Sequence, residues 1–185
     1  MIYITENQQK DVIAYELLSR GMVNFAYSKS YFMAAVIRVT KEFSFEMAHA
    51  LWEYDGPCRN VHGHSYRLFV TISGVPANEE GNPKNGMVMD FTDLKSIVKN
   101  EIVNVYDHAV VVSRSFGREK TDLFEKLFGN TVLVDYQPTC ENLVSDFAAR
   151  LIPLLPAGVK LHNLRLFETA TSYAEWFAED NERSA

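Results

Sequence analysis

Alternation of hydrophobic and polar residues predicts two β-strands in the first half of the chain. The pattern over residues 35–49 is strand-like, and an apolar series at one parity, Phe43, Phe45 and Met47, ends at His49. Residues 64–73 alternate in the same way, and His64 opens the more apolar set. Because successive strand side chains point to opposite faces, these two histidines, and His62 at the same parity as His64, are expected on the apolar faces of their strands.

Apolar residues at helical spacing predict two helices. The first spans about residues 91–105, with Asp90 or Thr92 as its N-cap, and the second runs from Thr139 to the stop signal at residues 156–158. Shorter elements are expected at four further places: a strand at Met87–Met89, a helix at Asp122–Phe128, a strand at Thr131–Val134 and a last strand at Val159–Glu168. This order predicts an α+β fold, with helices layered on one face of a mostly antiparallel sheet.

The first 32 residues lack a sustained period, whereas the pattern becomes regular soon after Met33. We therefore expect an N-terminal extension of unknown role over residues 1–32 and a single domain over residues 33–185. The chain has 185 residues, of which 47% are hydrophobic. This is enough for one domain with a sizeable core.

Charge and apolar run length narrow the classes of partner. The formal net charge is −6 and the sequence pI is about 5.4, which argues against a nucleic-acid partner. The longest apolar run, residues 31–37, is far shorter than the roughly 20 residues of a membrane helix. The first residues lack the basic start and apolar stretch of a signal peptide. Two widely separated cysteines make no disulfide framework, so a reducing, cytoplasmic location is expected.

Three of the five histidines lie close together in the sequence, at His49, His62 and His64. Imidazoles two residues apart on a strand point the same way, and a third from a neighbouring strand would complete a facial set of three nitrogens. Three nitrogens with an open fourth position are typical of a catalytic zinc site. The alternative is three histidines that donate to backbone carbonyls and bind no metal.

Cys58 lies in a turn between Pro57 and Arg59, which is a poor position for core packing. A thiol beside an arginine favours acid/base or nucleophilic chemistry. Cys58 could instead be a fourth zinc ligand, which would make the metal site closed and structural. Cys140, in the first turn of the second predicted helix, is expected to be a small buried hydrophobic residue.

Two further acidic positions are candidates for a site. Asp107 and His108 end the first predicted helix; they either form an acid–base pair or, as the sequence alone favours, are an ordinary helix terminus. Glu168 shares the apolar face of the last predicted strand, where an unpaired carboxylate is costly to bury. It could accept two parallel N–H bonds from a heterocycle, or it could pair with a nearby arginine.

Six short motifs occur together in a fixed order along the chain. They are Phe-x-Phe-x-x-Ala-His at 43–49, Cys-x-x-x-His-Gly-His at 58–64, Gly-Met-Val-Met-Asp-Phe at 86–91, Asp-His at 107–108, Pro-Thr-x-Glu-Asn at 138–142 and Glu-Thr at 168–169. With these motifs in register, the chain resembles the 6-pyruvoyl-tetrahydropterin synthase family over about residues 35–178. No single motif would be specific enough.

The spacing between Cys58 and the His-Gly-His motif resembles one branch of this family. Three residues separate them here, as in the 6-carboxy-5,6,7,8-tetrahydropterin synthases of the queuosine (7-deazaguanine) pathway. The resemblance implies a lyase that converts 7,8-dihydroneopterin triphosphate to 6-carboxytetrahydropterin, acetaldehyde and triphosphate. It also implies the tunnelling fold (T-fold): a four-stranded antiparallel sheet with two helices on one face, assembled into a trimeric or hexameric barrel with active sites between subunits.

The resemblance also implies a role for each motif residue. Zn²⁺ would be held by His49, His62 and His64, and Cys58 would accept a proton. His108, oriented by Asp107, would relay protons. Glu168 would anchor the pterin ring, and the remaining motif residues expected at the substrate are Thr169 and Glu141.

Two other functions remain open at this stage. A pyruvoyl-forming synthase keeps the same residues and differs in the fate of the side chain, and a non-catalytic zinc-stabilised pterin-binding module is a rival of another class. The chain also departs from the family in a long connection over residues 109–137. This connection could contact triphosphate through Arg114, Arg118 or Lys120, or it could be a solvated surface loop.

Overall fold

The computed structural model describes residues 35–181, so the predicted extension over residues 1–32 lies outside the described range. The strands are β1 (Ile37–Ala50), β2 (His62–Gly74), β3 (Ala109–Ser113), β4 (Thr131–Val134), β5 (Lys160–Phe167) and β6 (Tyr173–Phe177). The helices are α1 (Phe91–Val98), α2 (Asn104–Tyr106), α3 (Arg118–Leu127), α4 (Cys140–Leu151) and α5 (Ala178–Asn181). A π-helical stretch, Lys99–Val103, joins α1 to α2, so the first predicted helix is confirmed with an irregular second half.

The six strands form one mixed sheet in the order β4-β3-β1-β2-β5-β6. The four antiparallel strands that the resemblance implied are thus extended to six, whereas the mostly antiparallel sheet expected from the residues is confirmed. The three pairings β1–β2, β2–β5 and β5–β6 are antiparallel, whereas β3 pairs in parallel with both β1 and β4.

The strands that were missed carry no clear alternation. All five residues of β3 are buried, because both faces of this strand are covered, and a continuous apolar run has no period of two. Strand β6 is short and half-exposed at the sheet edge. The strand expected at Met87–Met89 is absent; Met87 makes only isolated backbone hydrogen bonds, to Ala77 and Lys84, within a series of turns.

The main core lies between the sheet and helices α1 and α4, on the sheet face that carries the odd-numbered residues of β1. Asp90 caps α1 by accepting a hydrogen bond from the Thr92 backbone N–H, and Thr139 caps α4 in the same way through Asn142. The expectation that all helices lie on one face of the sheet is wrong for α3. Its Phe124 packs with a smaller cluster on the opposite sheet face, formed by Ala50, Val110, Val112, Phe116 and Leu133.

The long hairpin of β1 and β2 places the histidines. In its register His49 lies directly opposite His62, and Met47 lies opposite His64. Because paired residues of an antiparallel ladder share a face, all three imidazoles extend from the core face at one end of the hairpin.

Replacing Phe147 with alanine is expected to destabilise the protein by about 3–5 kcal/mol, because a fully buried aromatic ring would leave a cavity. The ring of Phe147 contacts those of Phe45 (6.3 Å between centroids) and Tyr106 (5.0 Å). Urea unfolding measures the change. The exposed residue Glu125, changed to alanine, is the control and is expected to alter stability by less than about 0.5 kcal/mol; an equal loss in both variants would contradict this description of the core.

Candidate active site

The three histidines predicted to share a face do come together. His49 is buried at the end of β1, and His62 and His64 are partly buried at the start of β2. One ring nitrogen from each lies within 4.8 Å of the other two, and the Nε2 atoms of His49 and His62 are 3.1 Å apart. Within residues 35–181, this is the one cluster of histidine, cysteine or acidic side chains close enough to hold a metal ion.

Backbone carbonyls fix the orientation of two of these rings. Nδ1 of His49 lies 2.7 Å from the carbonyl oxygen of Pro138, and Nδ1 of His62 lies 2.9 Å from that of Asn60. A carbonyl oxygen only accepts hydrogen bonds, so both Nδ1 atoms carry the proton and donate. In the neutral rings the lone pairs are then on the two facing Nε2 atoms. Carbonyl acceptors that fix the tautomer in this way are typical of metal-binding histidines.

The lone pairs of the Nε2 atoms of His49 and His62, 3.1 Å apart, repel each other unless a proton or a metal ion lies between them. A proton on one ring would relieve this repulsion, but burial lowers the pKa of His49, with the Pro138 carbonyl opposing this shift and His62 adding to it. Nε2 of His64 is also buried, and it has no hydrogen-bond partner among the described residues. A divalent metal would satisfy all three nitrogens at once, so the residues fit a zinc ion with three imidazole ligands. The alternative, in which the histidines donate to backbone carbonyls and bind no metal, accounts for the Nδ1 atoms of His49 and His62. It does not explain why the Nε2 atoms of these two rings face each other.

Glu168 lies beside this cluster, directly after β5. Its Oε1 is 3.6 Å from Nε2 of His49 and 3.8 Å from Nε2 of His64. Tyr66 donates its hydroxyl proton to the same oxygen at 3.2 Å. The partners of this carboxylate are therefore Tyr66 and the histidines, and no arginine among residues 35–181 pairs with it.

Tyr66 was missed by the sequence analysis, although the signal was present, because Tyr66 has the same parity as His62 and His64 on β2. Its ring is fully buried and stacks on Phe45 with 5.4 Å between centroids. Burial, reinforced by the charge of Glu168, raises the pKa of the Tyr66 hydroxyl. Tyr66 therefore remains a neutral hydrogen-bond donor that holds the carboxylate in place.

Cys58 lies in the loop that joins the two histidine-bearing strands, in a single 3₁₀ turn (Pro57–Arg59). Its thiol is free and half-buried, and its backbone carbonyl accepts a hydrogen bond from the N–H of Leu51 at 3.0 Å. Cys58 is not a member of the candidate metal group, so the geometry favours three nitrogen ligands over a closed site with a fourth, sulfur ligand. The other thiol, Cys140, is buried and donates to the carbonyl oxygen of Leu166; burial raises its pKa to about 12.

Asp107 and His108 form an oriented pair directly after α2. Asp107 Oδ1 accepts from the backbone N–H of Glu46 at 2.9 Å and lies 3.1 Å from His108 Nδ1. The first of these bonds is the main reason that the pKa of Asp107 is lowered. His108 has a φ of 58°, a left-handed conformation that costs energy for a non-glycine residue. The hydrogen bond, the ion pair and the strained backbone together distinguish this pair from an ordinary helix terminus.

The side chain of His108 is 78% exposed, and His108 is not a member of the candidate metal group. It borders a cavity of about 340 Å³ whose lining also includes Glu46, Ser65 and one of the clustered histidines, His64. Glu46 and Ser65, which are paired across the hairpin, point to the sheet face opposite the one that carries His49, because strand side chains alternate. Among the described residues, the candidate metal group and the ring contacts within it do not include His108.

The remaining sequence candidates lie outside the histidine cluster. Glu141 is exposed in the first turn of α4, and Thr169 is exposed in the turn after β5, where its hydroxyl accepts from the N–H of Thr171. The three basic residues of the long connection each have a partner within the chain. Arg114 pairs with Asp135 at 3.1 Å, Arg118 lies 4.0 Å from Asp122, and Lys120 lies over the ring of Trp52.

Comparison with known proteins places this site in a family. The family model for 6-pyruvoyl tetrahydropterin synthase matches residues 38–179. The chain belongs to this family. A 6-carboxy-5,6,7,8-tetrahydropterin synthase of Haemophilus influenzae is 39% identical over 143 residues, which cover 76% of this chain and 99% of that protein. The enzyme of the same name from Synechocystis is 35% identical over 141 residues, or 76% of this chain and 92% of that one. The protein is thus a lyase-type enzyme.

Solved structures share the fold at lower identity. Caenorhabditis elegans 6-pyruvoyl tetrahydropterin synthase superposes with a TM-score of 0.56 and 22% identity, covering 78% of this chain and 96% of that one. An uncharacterised protein of Wolinella succinogenes gives a TM-score of 0.60 at 23% identity, with 78% and 99% covered. The T-fold expected from the motifs is confirmed, with six strands in this chain. None of the described helices is both long and apolar enough to cross a membrane.

Proposed function

We propose that this protein is a zinc-dependent lyase that converts 7,8-dihydroneopterin triphosphate to 6-carboxy-5,6,7,8-tetrahydropterin, acetaldehyde and triphosphate in queuosine (7-deazaguanine) biosynthesis. The observation that carries the proposal is the set of three convergent ring nitrogens, with the Nδ1–H groups of His49 and His62 fixed by carbonyls. The names of the relatives from Haemophilus influenzae and Synechocystis support the carboxy-forming branch.

In this proposal His49, His62 and His64 hold Zn²⁺. Bound there, zinc would polarise the hydroxyl oxygens of the substrate side chain and make the adjacent C–H protons easier to remove. The Pro138 carbonyl keeps Nδ1 of His49 protonated and so directs its Nε2 toward the metal. Tyr66 and the buried rings around it exclude water from one side of the site.

Cys58 is proposed as the group that accepts the proton. Its loop begins and ends at histidine-bearing strands, which supports a position of the thiol near the cluster. A half-buried free thiol that is not a metal ligand retains its sulfur for acid/base work. Glu168 is proposed to anchor the pterin through paired N–H bonds, held by the Tyr66 hydroxyl, with Thr169 and Glu141 as further substrate contacts.

His108 is proposed to relay protons in the active site of a second copy of the chain. Asp107 fixes its Nδ1, which leaves Nε2 available, and the exposed ring borders a cavity that Glu46 and Ser65 also line. An assembly in which active sites lie between subunits, a trimer or a hexamer, would bring this exposed imidazole to a neighbour's Cys58. We also propose a location in the reducing cytoplasm, which the two free cysteines support. Residues 33–185 are proposed to form a single domain.

Product analysis is the direct test of this proposal. Zinc-loaded protein incubated with 7,8-dihydroneopterin triphosphate is expected to release 6-carboxytetrahydropterin and acetaldehyde, both detected by mass spectrometry. Detection of 6-pyruvoyltetrahydropterin instead would assign the chain to the pyruvoyl-forming branch. Absence of turnover at full zinc occupancy would favour the non-catalytic pterin-binding module and contradict the proposal.

A further inference from the structure

The loop that carries Cys58 has little core packing to hold it. The 3₁₀ turn around Cys58 contains no buried residue, and the residues from Glu53 to Asp55 are exposed. Glu53 also has a φ of 55°, a conformation that non-glycine residues seldom adopt. The position of the thiol therefore depends on hydrogen bonds at the base of the loop.

Gln137 supplies two of these bonds from a distant part of the chain. Its side-chain amide accepts a hydrogen bond from the Trp52 backbone N–H at 2.9 Å and donates to the Trp52 carbonyl oxygen. One amide thus satisfies both backbone groups of a loop residue, as a neighbouring strand would. The adjacent Leu51 N–H donates to the carbonyl of Cys58 and closes the loop at the same point.

Gln137 is itself held firmly. Its backbone carbonyl accepts from the Thr139 N–H at 2.7 Å and from the side-chain amide of Asn142 at 2.9 Å. The carbonyl oxygen of the next residue, Pro138, accepts a hydrogen bond from Nδ1 of His49. Gln137 therefore holds the loop that carries Cys58, and the next residue, Pro138, holds the ring of His49. Because the two are consecutive, they set the position of the loop relative to that ring.

We propose that Gln137 is a positioning residue that sets the distance between the Cys58 thiol and the reacting carbon of the substrate. The proposal rests on the proposed function, in which Cys58 accepts the proton. Displacement of a reacting group by about 1 Å can cost on the order of 100-fold in rate. Gln137 contacts backbone groups of the loop and is assigned no contact with the substrate, so its loss acts on kcat and leaves KM close to the wild-type value.

The experiment uses Gln137→Met, which keeps the size of the side chain and removes both hydrogen bonds. The Trp52 ring remains packed by Phe116 (4.6 Å between centroids) and Lys120 (4.2 Å), so the variant is expected to fold and to retain zinc. We expect kcat to fall by on the order of 100-fold at near-constant KM. Asn181→Ala, which removes another amide bond to a backbone carbonyl, is the control and should keep wild-type kcat.

A second readout reports on the thiol without any substrate. In a Cys140→Ala background, where Cys58 is the remaining cysteine, Ellman's reagent should react faster with the Gln137→Met variant, because the loop opens more often. Wild-type values of both kcat and thiol reactivity in Gln137→Met would overturn the proposal, as would a raised KM with unchanged kcat. If Cys58→Ala retains full turnover, the proposed function fails in its catalytic assignment, while the thiol reactivity still measures positioning by Gln137.

Discussion

Replacing His49 with alanine is expected to remove zinc and turnover together. The ring is 2% exposed and supplies one of the three ligand nitrogens of the candidate metal group. Metal-ion catalysis supplies several kcal/mol of transition-state stabilisation, so at about 1.4 kcal/mol per tenfold change the rate should fall by roughly 1,000-fold or more. Metal content by mass spectrometry of the purified protein and turnover of 7,8-dihydroneopterin triphosphate measure the two losses.

The His49 variant needs controls for folding and for histidine loss in general. Its replacement leaves the buried Pro138 carbonyl without a donor, at a cost of about 1–3 kcal/mol, so thermal unfolding is recorded in parallel. His62→Ala should give the same loss of zinc with a smaller cost in stability, because its Asn60 partner is exposed. His162→Ala, which removes a histidine of β5 outside the cluster, should keep both zinc and activity. Full zinc occupancy in His49→Ala would refute the metal site.

Replacing Cys58 with alanine is expected to lower turnover strongly and to preserve zinc. General acid–base catalysis by a positioned group contributes about 10²–10⁴-fold, so kcat should fall within that range. Zinc should remain, because the candidate ligand set contains the three histidines and no cysteine. Loss of both turnover and zinc would indicate a closed site with a sulfur ligand. A variant with normal zinc and normal turnover would show that Cys58 is not the proton acceptor.

Cys140→Ala is the matched control for the loss of a thiol. Its sulfur is buried against the Leu166 carbonyl, and burial raises its pKa to about 12, so it is protonated at neutral pH. The change is expected to lower stability slightly, through a lost hydrogen bond worth about 1 kcal/mol, and to leave kcat intact. A large fall in kcat would assign a role to this second thiol.

Much of the fold could be predicted because local patterns report local geometry. The alternation over residues 64–73 located β2, and the helical spacing over 91–105 located α1 together with its cap at Asp90. The same alternation put His62 and His64 on the core face before any partner was known. Where both faces are covered, as in β3, the pattern has no period, and the strand and its parallel pairing were not predicted.

The sequence by itself determined the fold class, the family and the residues that form the candidate metal site, because spacing within a strand fixes which side chains share a face. Only the tertiary structure decided what each of those residues contacts. Pro138 reaches His49 and Gln137 reaches Trp52 across more than 80 residues, and Tyr66 meets Glu168 across the β2–β5 pairing. Such contacts depend on how distant segments pack, and a local period contains no information about which segment lies opposite.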